Sequence, residues 1–257
     1  MRNKKSQNYI MLFLILAFAL PLICVILIRS FNVFKLGIFN FTLYGIEAAT
    51  PSIAALLTIA ILDNYIDLKL FLKKCYIHNI KFQYLLIAII FPLTLITLTK
   101  ITSLIFVKTS FITAVTSKKL IIALWSLISE EIGWRGFLQE KLSKNYSPLK
   151  TSIIVGIVWS LWHYHFFLLG TISAPIILFV IGCMTDSICY YWITVKSKNN
   201  IIPASIWHCI ENLCFYLFTI TPQYIKGNLE PYSIYIIYSI VMAIIINHKN
   251  LHETKLI

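Results

Sequence analysis

Three short stretches of this 257-residue chain hold side chains of the kinds that move protons or stabilise negative charge. The first is Ser129-Glu130-Glu131-Ile132-Gly133-Trp134-Arg135-Gly136-Phe137. A charge at a membrane helix centre costs about 2.5–3.5 kcal/mol on insertion scales, so two adjacent carboxylates beside an apolar run call for a reason. Glu131 and Arg135 are four apart and one helix face pairs them. Glu130 points about 100° away and is free for another task. A helix that had already left the membrane would instead leave both glutamates solvated. The second stretch is Trp159-Ser160-Leu161-Trp162-His163-Tyr164-His165. His163 lies about 12 residues, or roughly 18 Å, into an apolar run. A lone histidine among aromatics is also a common satisfied core residue, and His165, two positions on, faces elsewhere and reads as a bystander. The third is Ile206-Trp207-His208-Cys209-Ile210-Glu211-Asn212. His208 and Asn212 are i and i+4 and can serve one ligand, with Glu211 close to the same face; singly, such residues also tie neighbouring helices together. A carboxylate with a histidine can hold and deprotonate a water. A second histidine with an asparagine can donate to a developing oxyanion.

The elements that must position these groups are apolar. The chain is 59% hydrophobic and only 12% charged, far from the balance of a soluble domain. No core of this size hides that much apolar surface, so the solvent has to be lipid. A helix needs about 20 apolar residues to cross a bilayer. About eight candidate spans lie near 9–28, 37–62, 84–107, 119–140, 151–170, 172–194, 201–219 and 231–247. Three carry further charge: Glu47 in the second, Lys100 in the third and Asp186 in the sixth. Runs of this length are helical in lipid, so the expected fold is all-α, a polytopic bundle of about eight transmembrane helices. No internal repeat, low-complexity stretch or long linker divides it, so residues 1–257 read as one transmembrane domain. Arg2, Lys4 and Lys5 before Tyr9–Ile28 resemble the start of a secretory signal, but the run is too long and lacks a small-residue cleavage pattern. It reads as a retained first span.

The formal charge of +12 does not point to nucleic acid, because the basic residues sit in short gaps with no basic face of interleaved aromatics. They read as topology signals that touch anionic headgroups. With the N-terminus cytoplasmic, the inside segments hold 14 Lys and Arg, including Lys255, and the outside gaps hold 6, including Lys35. Both termini are then cytoplasmic, the fourth span descends to the cytoplasm, and the fifth and seventh rise from it. Glu130, His163 and His208 fall at similar depths, in the inner half or near the middle of the bilayer. Three polar groups at one level suggest a shared wet cavity. Five of the six cysteines fall inside apolar runs and there is no CxxC, so they read as small buried thiols.

These three stretches resemble the CAAX prenyl protease and bacteriocin-processing family of intramembrane glutamate or metalloproteases, whose signature is EExxxR, FxxxH and HxxxN or HxxxD. Glu130, Glu131 and Arg135 match the first motif, and His163 the second, with Trp159 where Phe is usual. His208 and Asn212 match the third. The resemblance covers roughly residues 115–220; the first three spans carry no motif. It implies that Glu130 is the general base, that His163 orients the attacking water, and that His208 and Asn212 stabilise the tetrahedral intermediate. Glu131 with Arg135 would be a supporting pair. The metalloprotease label leaves zinc open, with Glu130, His163 and His208 as its ligands, although HExxH is absent; a metal-free glutamate mechanism fits the residues equally. The implied substrate is a peptide or protein, cut near the cytoplasmic face of what is expected to be a bacterial cell membrane. Peptide processing or self-immunity against bacteriocins would be its use. A non-catalytic peptide-binding or immunity protein is the alternative, but it would have no need of Glu130 with both histidines. A small transporter is less apt without two matching halves.

Overall fold

The computed structural model describes residues 2–32, 37–63, 65–77 and 80–253. Lys35 and Lys255, which enter the charge count, lie outside the described residues. The described residues are helical, with no strand among them. In chain order the helices are α1 (Arg2–Asn32), α2 (Gly37–Ala48), α3 (Thr50–Leu62), α4 (Tyr65–Tyr76) and α5 (Phe82–Ser103). Next come α6 (Ser117–Ser129), a π-helix (Ile132–Gln139) and α7 (Glu140–Ser143). The last are α8 (Pro148–Trp162), α9 (Tyr164–Leu168), α10 (Ile176–Lys196), α11 (Ile202–Phe218), a 3₁₀ turn (Pro222–Tyr224) and α12 (Glu230–Glu253).

Burial runs opposite to that of a soluble bundle. Small residues face inward, with Ala17, Ala54, Ala55, Ala88 and Ala204 fully buried. Large apolar residues such as Ile15, Ile23, Ile90, Ile101, Val241 and Ile244 are exposed. Between helices in lipid there is no hydrophobic drive, so close backbone packing through small residues does the work, and the bulky aliphatics meet lipid. Gly156 shows how close: an added Cβ would stand 2.6 Å from Met184 Cα, where α8 crosses α10. The chain is an integral membrane protein. All six cysteines are free and buried.

Each of the eight apolar runs appears as helix, but not as eight uniform spans. Among the described residues five helices are long and apolar enough to cross a membrane: Gln7–Ser30, Phe82–Ser103, Pro148–Leu168, Ile176–Lys196 and Glu230–His248. Phe41–Ala48 with Thr50–Leu62 makes a sixth only as a pair bent by 59°. The other two runs fall short in helix length. α6 lasts 13 residues before it breaks at Glu130, and α11, with His208, Glu211 and Asn212, has 17.

Candidate active site

The run expected as one helix over 119–140 changes character at its carboxylates. Glu130 leaves the helical region (φ −123°, ψ −38°), and residues 132–139 wind as a π-helix, a rare form that is frequent at functional sites. The break lets both neighbouring glutamates turn inward: Glu130 is 6% and Glu131 0% exposed. The solvated-glutamate alternative is thereby removed. α3 packs so closely on this segment that a Cβ on Gly133 would lie 2.4 Å from the Pro51 carbonyl oxygen.

Glu130 has no cationic partner in the described contacts. Its Oε2 accepts from Trp159 Nε1 at 2.7 Å and Trp134 Nε1 at 3.2 Å. Indole N–H groups only donate, so they solvate the carboxylate and fix its direction. No described hydrogen bond takes up Oε1, and Glu130 lines a cavity of about 960 Å³. Trp159, the departure from the FxxxH pattern, therefore supplies a hydrogen bond that Phe could not.

Glu131 faces away from that cavity and organises its wall. Arg135 Nη1 donates to Oε1 at 3.4 Å, and Nε lies 3.2 Å from Oε2, an ion pair by distance but without hydrogen-bond geometry. Both side chains are fully buried. The guanidinium packs against two rings, Trp159 at 4.7 Å and Tyr190 at 4.5 Å. The same Oε1 of Glu131 lies 2.9 Å from His208 Nδ1. A carboxylate already paired with arginine acts as acceptor, so Nδ1 carries the hydrogen and Nε2 is left to the cavity that His208 lines.

His163 occupies the junction of α8 and α9. Its Nδ1 is 2.7 Å from the Trp159 carbonyl oxygen, which can only accept, so this ring too carries hydrogen at Nδ1. Phe179 and Trp162 pack edge-on against it, both with centroids at 4.9 Å. His163 and Asn212 line the same cavity as Glu130 and His208. Asn212 is half-buried, and no described hydrogen bond takes its amide. The four groups singled out by spacing thus share one space. At liquid density it has room for roughly 30 waters, or for a peptide segment instead.

Two imidazoles and a carboxylate are chemically a donor set for zinc. Among the described residues, however, no three His, Cys, Asp or Glu side chains converge closely enough to hold a metal ion. As placed they do not fit a metal centre, and no step below passes through one.

Several polar groups were not predicted for this site. Tyr190 and Tyr235 both donate to Glu211, and Tyr235 also reaches Asp186 Oδ1 at 2.8 Å. Glu211 and Asp186 line the cavity. The sequence signal was Asp186 within an apolar run and Glu211 one turn past His208; the tyrosines gave none. His165 lies off the cavity and meets Glu47, Nδ1 to Oε1 at 2.6 Å. Lys100 is buried on α5 and donates to Thr109 Oγ1 at 2.8 Å, away from the site.

The cavity has a floor and a mouth. Glu130 and His208 stand at the floor, while Lys118, Gly170 and Tyr224 belong to the opposite helix ends. Lys119 at that end lies 4.1 Å over the Tyr224 ring, joining the start of α6 to the turn after α11.

Residues 113–214 match the family described as Type II CAAX prenyl endopeptidase Rce1-like, a stretch that holds all six motif residues. Over 101 residues the chain is 34% identical to CAAX prenyl protease 2 of Methanococcus maripaludis, a stretch that is 36% of this chain. The match spans about 37% of the length of that curated relative. The part of the chain that folds around Glu130, His163, His208 and Asn212 is thus the part similar to the Rce1-like type II CAAX prenyl endopeptidases.

Proposed function

We propose that this chain is an intramembrane endopeptidase in which Glu130 activates a water held at the floor of the cavity. The observation that carries this reading is the state of Glu130. It is a buried carboxylate whose Oε2 accepts from two indole donors, with no described hydrogen bond on Oε1, and it lines one cavity with His163 and His208. An intramembrane carboxylate that faces a cavity beside two histidines is by default a functional group.

A water between Glu130 Oε1 and His163 Nε2 gives its proton to the carboxylate as its oxygen attacks the peptide carbonyl. His163 accepts the water's second hydrogen and so aims a lone pair. Negative charge then develops on the carbonyl oxygen. The Asn212 amide donates to it, and so does Nε2 of His208, which enters the cycle as the imidazolium with Glu131 as its counter-ion at Nδ1 and keeps both hydrogens. Glu130 hands its proton to the departing amine as the C–N bond breaks, and the hydrogen left on the new carboxyl then passes through Glu130 to that amine, giving a carboxylate and an ammonium group. Arg135 keeps Glu131 ionised and in place without touching substrate.

On the charge count the floor lies toward the cytoplasmic ends of α8 and α11, and the mouth at the opposite ends. The substrate is a peptide or protein segment that fits a space of about 960 Å³. The test is purified protein in proteoliposomes, given internally quenched peptides of varied sequence, with new termini read by mass spectrometry. Wild-type protein that generates no new terminus from any peptide, while remaining folded, sinks the protease reading.

A further inference from the structure

His163 is gripped from outside the segment that matches known proteases. It sits at the break between α8 and α9, and both of its flanks are tied to a second break, between α2 and α3 at Ala49. On one flank Trp162 Nε1 donates to Thr50 Oγ1 at 3.1 Å, and that hydroxyl donates to the Glu47 carbonyl oxygen at 2.8 Å. On the other, His165 Nδ1 meets Glu47 Oε1 at 2.6 Å. Glu47, Thr50, Trp162 and His165 are all 0% exposed. The tie crosses 118 residues of sequence.

Packing alone does not explain this tie. A buried ionisable pair is often no more stabilising than apolar residues of the same volume, and each partner is a liability without the other. Nor does it belong to a wider network, because Glu47 Oε2 and His165 Nε2 are buried without hydrogen-bond partners. What it does specify is the path of the chain through residues 162–165, and therefore the direction of the imidazole between them. We propose that Glu47 and Thr50 are positioning residues for His163, fixing through His165 and Trp162 the break that presents Nε2 to the cavity. This rests on the catalytic role of His163 given above.

The perturbation is Glu47→Ala, with Glu47→Gln as its conservative partner and Thr50→Val as an uncharged, isosteric second variant. Misplacement of a catalytic group by about 1 Å can cost on the order of 100-fold, so Glu47→Ala is expected to lower kcat by about 10–100-fold. KM should stay within about twofold, because neither residue meets substrate. Glu47→Gln keeps an oxygen that accepts from His165 Nδ1 and should recover to within about fivefold of wild type. Thr50→Val, which tests the other flank even if Glu47→Ala does not fold, should lose about 3–10-fold in kcat. A second readout needs no turnover: labelling by diethyl pyrocarbonate, located by tandem mass spectrometry. In Glu47→Ala the rate at His163 should rise at least about threefold as the break loosens, with His208 within about twofold. The proposal is overturned by wild-type kcat in both Glu47→Ala and Thr50→Val, by a Gln variant as impaired as Ala, or by unchanged His163 labelling. If wild type itself cleaves nothing, the protease reading fails, and the labelling still decides whether Glu47 holds His163.

Discussion

Replacing Arg135 by alanine separates a buried catalytic wall from a solvated helix end. Its guanidinium is fully buried, lies 3.2 Å from Glu131 Oε2, and packs against the rings of Trp159 and Tyr190. Removal leaves Glu131 as a buried carboxylate with His208 as its remaining partner. Breaking a buried pair by deleting one member costs about 3–5 kcal/mol. The upper half of that range is expected here, since desolvated cation–π contacts worth about 2 kcal/mol go with it. At 4 kcal/mol the unfolding equilibrium shifts by about three orders of magnitude. Reversible unfolding in mixed detergent micelles, titrated with sodium dodecyl sulfate, measures it directly. The double variant Glu131→Ala with Arg135→Ala should lose less than the sum of the single changes, because neither charge is then stranded. An exposed pair contributes about 0–1 kcal/mol. A single-variant loss in that range, with additivity in the double, refutes the buried pair.

Asn212→Ala should lower kcat by on the order of 10²–10³ with KM little changed, since a donor to the oxyanion acts in the transition state; single-turnover kinetics checks it, and a rate within a few-fold of wild type removes Asn212 from the site. Trp159→Phe restores the commoner aromatic but deletes the 2.7 Å bond to Glu130. It should cost stability about 1–3 kcal/mol, the cost of stripping a partner from a buried charged group, and lower kcat together with it; equal stability and rate would mean that the indole only packs. Both termini are proposed to be cytoplasmic, and reporter fusions at each end should report the same side; opposite sides would overturn the orientation given for the cavity.

Spacing made most of the site legible. His208 and Asn212 at i and i+4 do share a cavity face, and Glu131 does pair with Arg135. Helical period is a local property, and it was enough to sort side chains within one helix. It could not find the breaks. Glu130 and Glu131 would diverge on a regular helix, and it takes the kink at Glu130 and the π-helical turns to bury both. The bend after Ala48 and the break at His163 are likewise set by packing between distant segments. Glu47 stood out as an intramembrane charge and His165 as a leftover histidine, yet nothing local joins residues 118 positions apart. The phenols around Glu211 were invisible for the same reason, since tyrosine in an apolar run is unremarked until its hydroxyl finds a carboxylate.

The central claim is that Glu130 is the base, and its most direct test is the single-turnover rate of Glu130→Gln beside His163→Ala in the same micelles. Glutamine keeps the oxygen that accepts from both indoles and strands no charge, so unfolding should match wild type closely. General-base catalysis supplies about 10²–10⁴-fold, and the cleavage rate should fall by that factor in Glu130→Gln, with His163→Ala also severely slowed. A folded Glu130→Gln protein that cuts within about tenfold of the wild-type rate contradicts the claim, because the loss then falls below what a general base contributes.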